Sequence, residues 1–269
     1  MSSMIRRILM LVCVAVMCLS GWKIWQEKQE YRQGDEAYSE LEDYVSWQSP
    51  QPPTAAEESA PEEGGEEPSS QPEQESAGPE IDWPTVDFES LRVINQYVVG
   101  WLYCEDTVIN YPVAQCKNNK YFLHYRFDGV EHKAGCLFVD ASNHGDFKDP
   151  NTIIYGHHMK NGSMFGTLTN YKKQDYYDEH PTLLFLTPKR NYVLRLFAGY
   201  VCAADGEAWR LDFADEADRA AWVEKAIDAS TFDSGIVPTA QDRIMTLSTC
   251  SYEFDDARYV LLGILEPQD

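Results

Sequence analysis

The chain is poor in positive charge. Its 269 residues include 22 Lys and Arg against 44 Asp and Glu, which gives a formal net charge of -22 at pH 7. Residues 51–80 hold nine glutamates and no Lys or Arg. Because nucleic-acid binding depends on Lys and Arg contacts to phosphates, the composition excludes nucleic acid as an expected partner.

Cysteines at metal-binding spacing are also missing. The chain has seven cysteines, and no Cys-x-x-Cys pair occurs among the five that follow residue 25, so we expect no zinc site and no other metal or cofactor. Cys250 is considered separately below. The other four are expected to be small buried apolar residues, with one disulfide among them as an alternative: Cys104, Cys116, Cys136 and Cys202.

Long apolar runs are scarce, and the longest covers residues 8–25, where Lys23 is the only charge. Eighteen residues are just enough to span a bilayer, and Trp22 and Trp25 suit its interface. No small-residue cleavage site follows, so the sequence favours an uncleaved single-pass anchor over a cleaved signal peptide. Basic residues before the run then place residues 1–7 in the cytoplasm and the rest of the chain outside the cell membrane.

Composition divides the remainder into three parts. Residues 26–46 are polar and compatible with a helical stalk. Residues 47–80 are rich in Pro, Glu, Ser and Gln, and such a segment cannot bury enough apolar surface to fold, so we expect a disordered acidic linker. A folded domain is expected over residues 81–269, beginning with a short helix capped by Asp87.

The folded part consists mainly of short apolar runs rich in β-branched and aromatic residues, such as "VINYPV", "NTIIYG", "TLLFLTP" and "RYVLLGILE". Turn residues separate them, which is the pattern of an all-β barrel or sandwich. Two helical inserts are predicted, one in "GSMFGTLTNY" and one in "DEADRAAWVEKAIDAS".

Cys250 ends the strand "RIMTLSTC", and Arg258 begins the next strand eight residues later. An antiparallel hairpin would bring the two side by side, with Ser248 on the same face as Cys250 because side chains alternate along a strand. A cysteine in water has a pKa of about 8.5, so a neighbouring cation favours the reactive thiolate. An arginine stays charged and can stabilise an oxyanion.

A cysteine nucleophile also needs a proton donor for its leaving group, usually a histidine. His157 and His158 follow a strand that ends in a glycine turn, where side chains reach the rim of a sheet. No carboxylate or cysteine stands at ligand spacing beside them, so a metal site is not favoured.

The stretches "NTIIYGHHMKNGSMFGTL" and "TLSTC", followed by an arginine on the next strand, resemble the sortases and specifically class B. The similarity extends over residues 87–266 and includes "GWLYCEDTVINYPVAQ" and "NNKYFLHYRFDG". It implies a mainly β fold, a closed sortase-type barrel of about eight strands with an N-terminal helix and helical inserts.

The resemblance also implies the site. Cys250 matches the nucleophile, Arg258 the third catalytic residue, and the first histidine of "YGHHM", His157, the catalytic imidazole. This chain departs from the family pattern at His158, where Asn is common. The remaining expected site residues are those that contact the substrate: Tyr155, Ser248 and Thr249.

The implied activity is that of a membrane-anchored cysteine transpeptidase of Gram-positive bacteria. It would cleave a C-terminal sorting motif of a secreted protein through a thioester and pass the protein to an amino group of a lipid-linked peptidoglycan precursor. Three alternatives remain open at the sequence level: a pilin-polymerising sortase, a hydrolytic cysteine protease, and an inactive binding module on the same scaffold.

Overall fold

A computed structural model describes residues 3–47 and 81–268. Its strands are β1 (Val45–Ser46), β2 (Thr85–Val86), β3 (Val98–Tyr103), β4 (Asn110–Ala114), β5 (Leu137–Val139), β6 (Asn151–Tyr155), β7 (Thr182–Leu186), β8 (Asn191–Ala203), β9 (Ile244–Cys250) and β10 (Ala257–Pro267). Eight of them form a closed central barrel in the order β10-β8-β7-β3-β4-β5-β6-β9, which confirms the predicted barrel. Strands β1 and β2 form a separate two-stranded sheet.

Four α-helices are described: α1 (Ser3–Glu42), α2 (Phe88–Ile94), α3 (Gln174–Glu179) and α4 (Glu216–Asp228). The side chain of Asp87 caps α2 by accepting from the backbone N–H of Ser90, and Asp215 caps α4 by accepting from Asp218. Both carboxylates satisfy helix N–H groups that would otherwise lack partners.

The first predicted helical insert is only partly helical. Gly162 and Met164 have φ angles of 86° and 55°, in the left-handed region, so the chain turns there and cannot form an α-helix. A 3₁₀ helix follows at Leu168–Lys172. The helix predicted in "GSMFGTLTNY" therefore starts later than expected and has the tighter 3₁₀ form.

Strand pairing brings three chain segments to one region of the barrel. Strands β9 and β10 are antiparallel, and Arg258 lies directly opposite Cys250, so the predicted hairpin is confirmed. Strand β6 lies parallel to β9 on its other side, with Tyr155 opposite Ser248. The residues that follow β6 therefore leave the barrel beside the end of β9.

Alternation along these strands divides the apolar side chains between two cores. Met245 and Leu247 of β9 face the barrel interior. Ile244 of the same strand and Val260 of β10 belong to a second cluster, which packs against Trp222 of α4 on the outer face of the sheet. Ser248, Cys250 and Arg258 continue the outer face beyond the part that α4 covers.

The C-terminal half of α1 packs against the barrel. Tyr38 and Leu41 are buried in the main core, with 5% and 6% of their surface exposed. Asp35 accepts hydrogen bonds from the Asn161 side chain at 3.1 Å. The segment predicted as a stalk is thus helical over residues 26–42 and is held to the domain.

One expectation about the N-terminal segment is corrected. In the described ranges, no helical segment combines the length and the hydropathy that a bilayer span requires. The apolar run at residues 8–25 is at the minimum length for a span, includes Lys23, and continues without a break into the polar part of α1. The predicted single-pass anchor, and with it the assignment to the cell membrane, is therefore wrong.

Most of the predicted acidic linker, residues 48–80, lies outside the described residues. Residue 47 and the start of the folded domain at 81 are described, and Val45 pairs with Val86 across β1 and β2. The boundaries of the linker and of the catalytic domain stay predictions.

Candidate active site

The six residues singled out by the sequence lie around one cavity of about 450 Å³ at the barrel rim. It is open to solvent on one side and is bounded by the end of β9, the start of β10, the segment after β6 and the connection from β8 to α4. The predicted residues in its lining are Tyr155, His157, Ser248, Thr249, Cys250 and Arg258.

Cys250 and Arg258 are neighbours across the β9–β10 ladder. Side chains at directly opposed positions have Cβ atoms about 5 Å apart and point to the same face of the sheet. The Nη1 atom of Arg258 donates to the carbonyl of Ala257 at 2.9 Å, which holds the guanidinium close to the backbone. The thiol and the guanidinium therefore share the same wall of the cavity.

A second thiol, Cys202 of β8, lies opposite Arg258 on its other side. Burial raises the pKa of Cys202 to about 11, and the positive charge of Arg258 only partly offsets this. Cys202 is not part of the cavity lining, whereas Cys250 is. The two cysteines that flank the arginine are thus in different environments.

His157 is held by a backbone carbonyl. Its Nε2 lies 2.8 Å from the carbonyl oxygen of Leu123. Because a carbonyl can only accept, Nε2 must carry the proton, and the neutral ring has its lone pair on Nδ1. Nδ1 is therefore the ring nitrogen that is available to exchange a proton.

His158 has a different environment from its neighbour. Its Nδ1 donates to the carbonyl oxygen of Cys250 at 2.9 Å, and its ring contacts Tyr252 at a centroid distance of 5.3 Å. His158 is not among the residues that line the cavity. It braces the end of β9 through the backbone, while His157 faces the cavity.

The three remaining predicted residues are tied to the surrounding structure. Ser248 accepts a hydrogen bond from Nε1 of Trp209 at 3.3 Å. The hydroxyl of Thr249 donates to the carbonyl of Gly156 at 2.8 Å, which joins β9 to the segment that carries His157. The hydroxyl of Tyr155 donates to Asp140 at 2.9 Å, and burial together with this carboxylate raises the pKa of Tyr155.

The connection after Cys250 is held by a small polar cluster. Lys172 forms an ion pair with Glu253, and Glu253 also accepts from the hydroxyl of Ser251. These hydrogen bonds lower the pKa of Glu253 to about 2. The residue next to the thiol is thereby fixed, and the turn between β9 and β10 has a defined start.

Sequence reasoning missed several residues of the cavity. Leu123 acts through its backbone carbonyl, which carries no side-chain signal, and Trp209 lies in a connection without a recognisable motif. The backbone carbonyl of Glu207, two residues before that tryptophan, accepts from Nε1 of Trp222 in α4 at 2.9 Å, so the position of α4 fixes this wall. The other unforeseen lining residues are Asn119, Phe138, Gly156, Ala204, Asp205 and Gly206.

Among the residues that the structure describes, no group of three or more His, Cys, Asp or Glu side chains is placed to hold a metal ion. The arrangement of the cavity residues is suited to acyl transfer. A thiol can attack a carbonyl, a guanidinium beside it can bind the resulting oxyanion, and an imidazole can move the proton.

Comparison with known proteins agrees with this chemistry. Residues 102–266 match the sequence family of the sortase domain. Sortase B of Listeria monocytogenes is 37% identical over 181 residues, which are 66% of this chain and 74% of that protein.

Solved structures agree as well. The Staphylococcus aureus sortase B–substrate complex has a TM-score of 0.65 at 34% identity, over 68% of this chain and 85% of that one. A sortase B structure complexed with triglycine has the same TM-score and identity, over 68% and 86% of the two chains. The chain therefore belongs to the sortase family of cysteine transpeptidases.

Proposed function

We propose that Cys250, His157 and Arg258 carry out the transpeptidation in this chain. The observation that supports this best is that residues from three separate strand ends line a single cavity, with Cys250 and Arg258 in direct cross-strand register. The two neighbouring histidines are distinguished by their position, because His157 lines that cavity and His158 does not.

In the first half of the reaction, the thiol of Cys250 gives its proton to Nδ1 of His157, and the resulting thiolate sulfur attacks a peptide carbonyl carbon in the substrate. A C–S bond forms, and the carbonyl electron pair moves to oxygen, where Arg258 stabilises the negative charge. The C–N bond then breaks, and the departing amine takes a proton from His157. The product of this step is a thioester between the substrate and Cys250.

In the second half, an amine attacks the thioester carbon and gives its proton to His157. A C–N bond forms, the C–S bond breaks, and the thiolate of Cys250 is regenerated. Because Nε2 of His157 is bound to Leu123, Nδ1 would serve as the donor in the first half and as the acceptor in the second. Tyr155, Ser248 and Thr249 would orient the bound peptide along the cavity.

The relatives support a proposal for the substrate classes. Sortase B has been solved with a substrate and with triglycine, a peptide with a free amine. We accordingly propose that this chain takes the C-terminal sorting motif of a secreted protein and transfers that protein to an amino group of a lipid-linked peptidoglycan precursor. The pilin-polymerising and hydrolytic alternatives are not favoured by these comparisons.

The test is to incubate the purified chain with a panel of candidate sorting peptides, with and without triglycine or diaminopimelate, and to identify the products by mass spectrometry. A product in which the N-terminal peptide fragment is joined to the amine supports the proposal. Formation of the free acid alone, with the amine in excess, would contradict transpeptidation and support a hydrolytic protease.

A further inference from the structure

A continuous set of contacts connects helix α1 with the ring of His157, although α1 itself does not line the cavity. Between them lies the segment 121–136, which contains the 3₁₀ helix Tyr121–Leu123 and leads into β5. The backbone of this segment touches α1 on one side and His157 on the other. The contacts on each side show how α1 can influence the position of the His157 ring.

On the α1 side, the first contact is made by Tyr38. Its hydroxyl donates to the carbonyl oxygen of Gly135 at 2.5 Å and accepts from the backbone N–H of Phe127 at 3.4 Å. Only 5% of the tyrosine surface is exposed. Burial raises the pKa of Tyr38 well above its usual value, so at neutral pH the hydroxyl keeps the proton that it donates.

The second contact is made by His132, which is 9% exposed. Its Nδ1 accepts from the backbone N–H of Ala134 at 3.1 Å, so the proton of the neutral ring is on Nε2, 2.8 Å from the carbonyl of Glu30 in α1. Gly34 leaves room for this ring, because a Cβ at Gly34 would lie only 2.7 Å from Cε1 of His132.

On the cavity side, the segment packs directly against His157. Gly135 has a φ of 57°, and a Cβ there would lie 3.1 Å from Cδ2 of the His157 ring and 2.4 Å from the carbonyl oxygen of Phe122. Leu123, which follows Phe122, supplies the carbonyl that binds Nε2 of His157. The peptide that Tyr38 holds thus lies beside the His157 ring, with no room for a side chain between them.

We infer that Tyr38 of α1 is a positioning residue for His157, acting through Gly135 and the segment 121–136. The inference rests on the proposed role of His157 in proton transfer. The tyrosine hydroxyl fixes the Gly135 peptide, that peptide fixes the separation between the His157 ring and the Leu123 carbonyl, and the separation selects the tautomer with its lone pair on Nδ1. Small displacements of a reacting group are costly, because proton transfer requires hydrogen-bond distance.

The test compares Tyr38→Phe with Tyr171→Phe in the full chain. Tyr171 is a matched control, since it is also buried and its hydroxyl donates to a backbone carbonyl, that of His180 at 2.8 Å, but it does not line the cavity. Phenylalanine keeps the ring of Tyr38, which packs edge-on against Tyr111 at 5.3 Å, so the fold should be retained.

For Tyr38→Phe we expect kcat to fall roughly tenfold with little change in KM, and the nitrogen NMR signals of His157 to move away from those of a single Nε2-protonated tautomer. Tyr171→Phe should lower the Tm to a similar extent but leave kcat and the His157 signals unchanged. Equal kcat losses in both variants, or unchanged His157 signals in Tyr38→Phe, would overturn the inference.

A second pair of variants tests the packing of α1 against the segment 121–136 at His132, the other contact described above. Gly34→Ala places a methyl group against His132, whereas a Cβ at Gly21, also in α1, would meet nothing within 4 Å. We expect Gly34→Ala to reproduce the kcat and NMR changes and Gly21→Ala to behave as wild type. Wild-type kcat and signals in Gly34→Ala would count against the role of α1. The NMR comparison needs no substrate, so it remains decisive even if the proposed transpeptidation fails.

Discussion

At the scale of single residues, two adjacent histidines have different surroundings. His157 lines the cavity and binds the Leu123 carbonyl, while His158 donates to the carbonyl of Cys250 from outside the cavity. An asparagine at position 158 could make the same donation through its side-chain amide. The difference between His158 and the Asn that is common in the family is therefore chemically small.

We predict that His157→Ala lowers kcat by at least about 100-fold, the usual contribution of a proton-transferring side chain, whereas His158→Asn keeps activity near that of wild type. Steady-state kinetics with an amine and a sorting peptide that the wild type cleaves would measure kcat for both variants. Circular dichroism should show that each variant is folded. Loss of activity in His158→Asn with activity retained in His157→Ala would reverse our assignment of the imidazole.

A second prediction concerns the thiols. Burial raises the pKa of Cys136 to about 12 and that of Cys202 to about 11, and it also raises that of Cys104. Because the thiolate is the reactive form, these three should resist iodoacetamide near pH 7.5. Labelling of Cys202 should increase as the pH rises toward 11.

Peptide mapping after brief alkylation of the native protein would test this. Cys250 should be modified near neutral pH, and labelling at Cys104, Cys136 and Cys202 should appear only after denaturation or at high pH. Labelling of Cys202 at pH 7.5 as fast as that of Cys250 would show that the two thiols flanking Arg258 are equivalent.

The sequence could predict the chemically distinctive side chains that line the cavity, but not the contacts that hold them in place. Cys250, Arg258 and His157 were found from strand alternation, hairpin spacing and motif resemblance. Leu123 and Trp209 were not, because a backbone carbonyl has no sequence signature and Trp209 reaches Ser248 from 39 residues away. Supports of this kind depend on tertiary contacts, which local patterns do not encode.

At the scale of elements, the cavity depends on α4 as well as on the barrel. Trp222 of α4 donates to Glu207, and Asp218 pairs with Arg210, so the helix holds the connection that carries Trp209. The helix was predicted because its apolar residues recur at helical spacing. The helix in "GSMFGTLTNY" was misplaced because Gly162 and Met164 adopt left-handed backbone angles, which end a helix and which composition does not reveal.

This arrangement predicts different effects of two aspartates at opposite ends of α4. Asp215→Ala removes the cap that accepts from Asp218 at 2.8 Å and should lower the free energy of unfolding by about 1 kcal/mol. Asp228→Ala at the C-terminal end removes a carboxylate from the negative end of the helix dipole, so stability should stay equal or rise slightly.

Urea unfolding of both variants would measure the difference. Asp215→Ala should also raise KM, because a loosened α4 frees the wall that contains Trp209. Equal stabilities of the two variants would show that the cap does not hold the helix, and an unchanged KM would show that α4 does not shape the cavity.

At the scale of the whole molecule, the barrel core and the site occupy opposite faces of the same sheet. Leu247 and Leu261 fill the barrel, while Ser248, Cys250 and Arg258 lie on the outer face beyond the cluster under α4. Closure of the sheet, with β6 parallel to β9, is what brings His157 to the end of β9. That closure was predicted from the family resemblance, since short apolar runs alone left a barrel and a sandwich equally possible.

The N-terminal segment shows the limit of reading the chain by composition. Its apolar residues suggested a membrane anchor, whereas one helix, α1, runs from Ser3 to Glu42 and docks on the barrel through Tyr38 and Leu41. Composition scores each stretch separately, and it cannot show that a polar continuation of the same helix packs against a domain more than 40 residues further along the chain.

The most direct test of the proposed mechanism is to measure the intact mass of the protein after it has been mixed, without an amine, with a sorting peptide that it cleaves. We predict a covalent adduct with the mass of the N-terminal peptide fragment, present in the wild type, absent in Cys250→Ala, and removed when triglycine is added. Cleavage of the peptide without any adduct on the wild type, or an equal adduct on Cys250→Ala, would contradict a thioester on Cys250 as the centre of the mechanism.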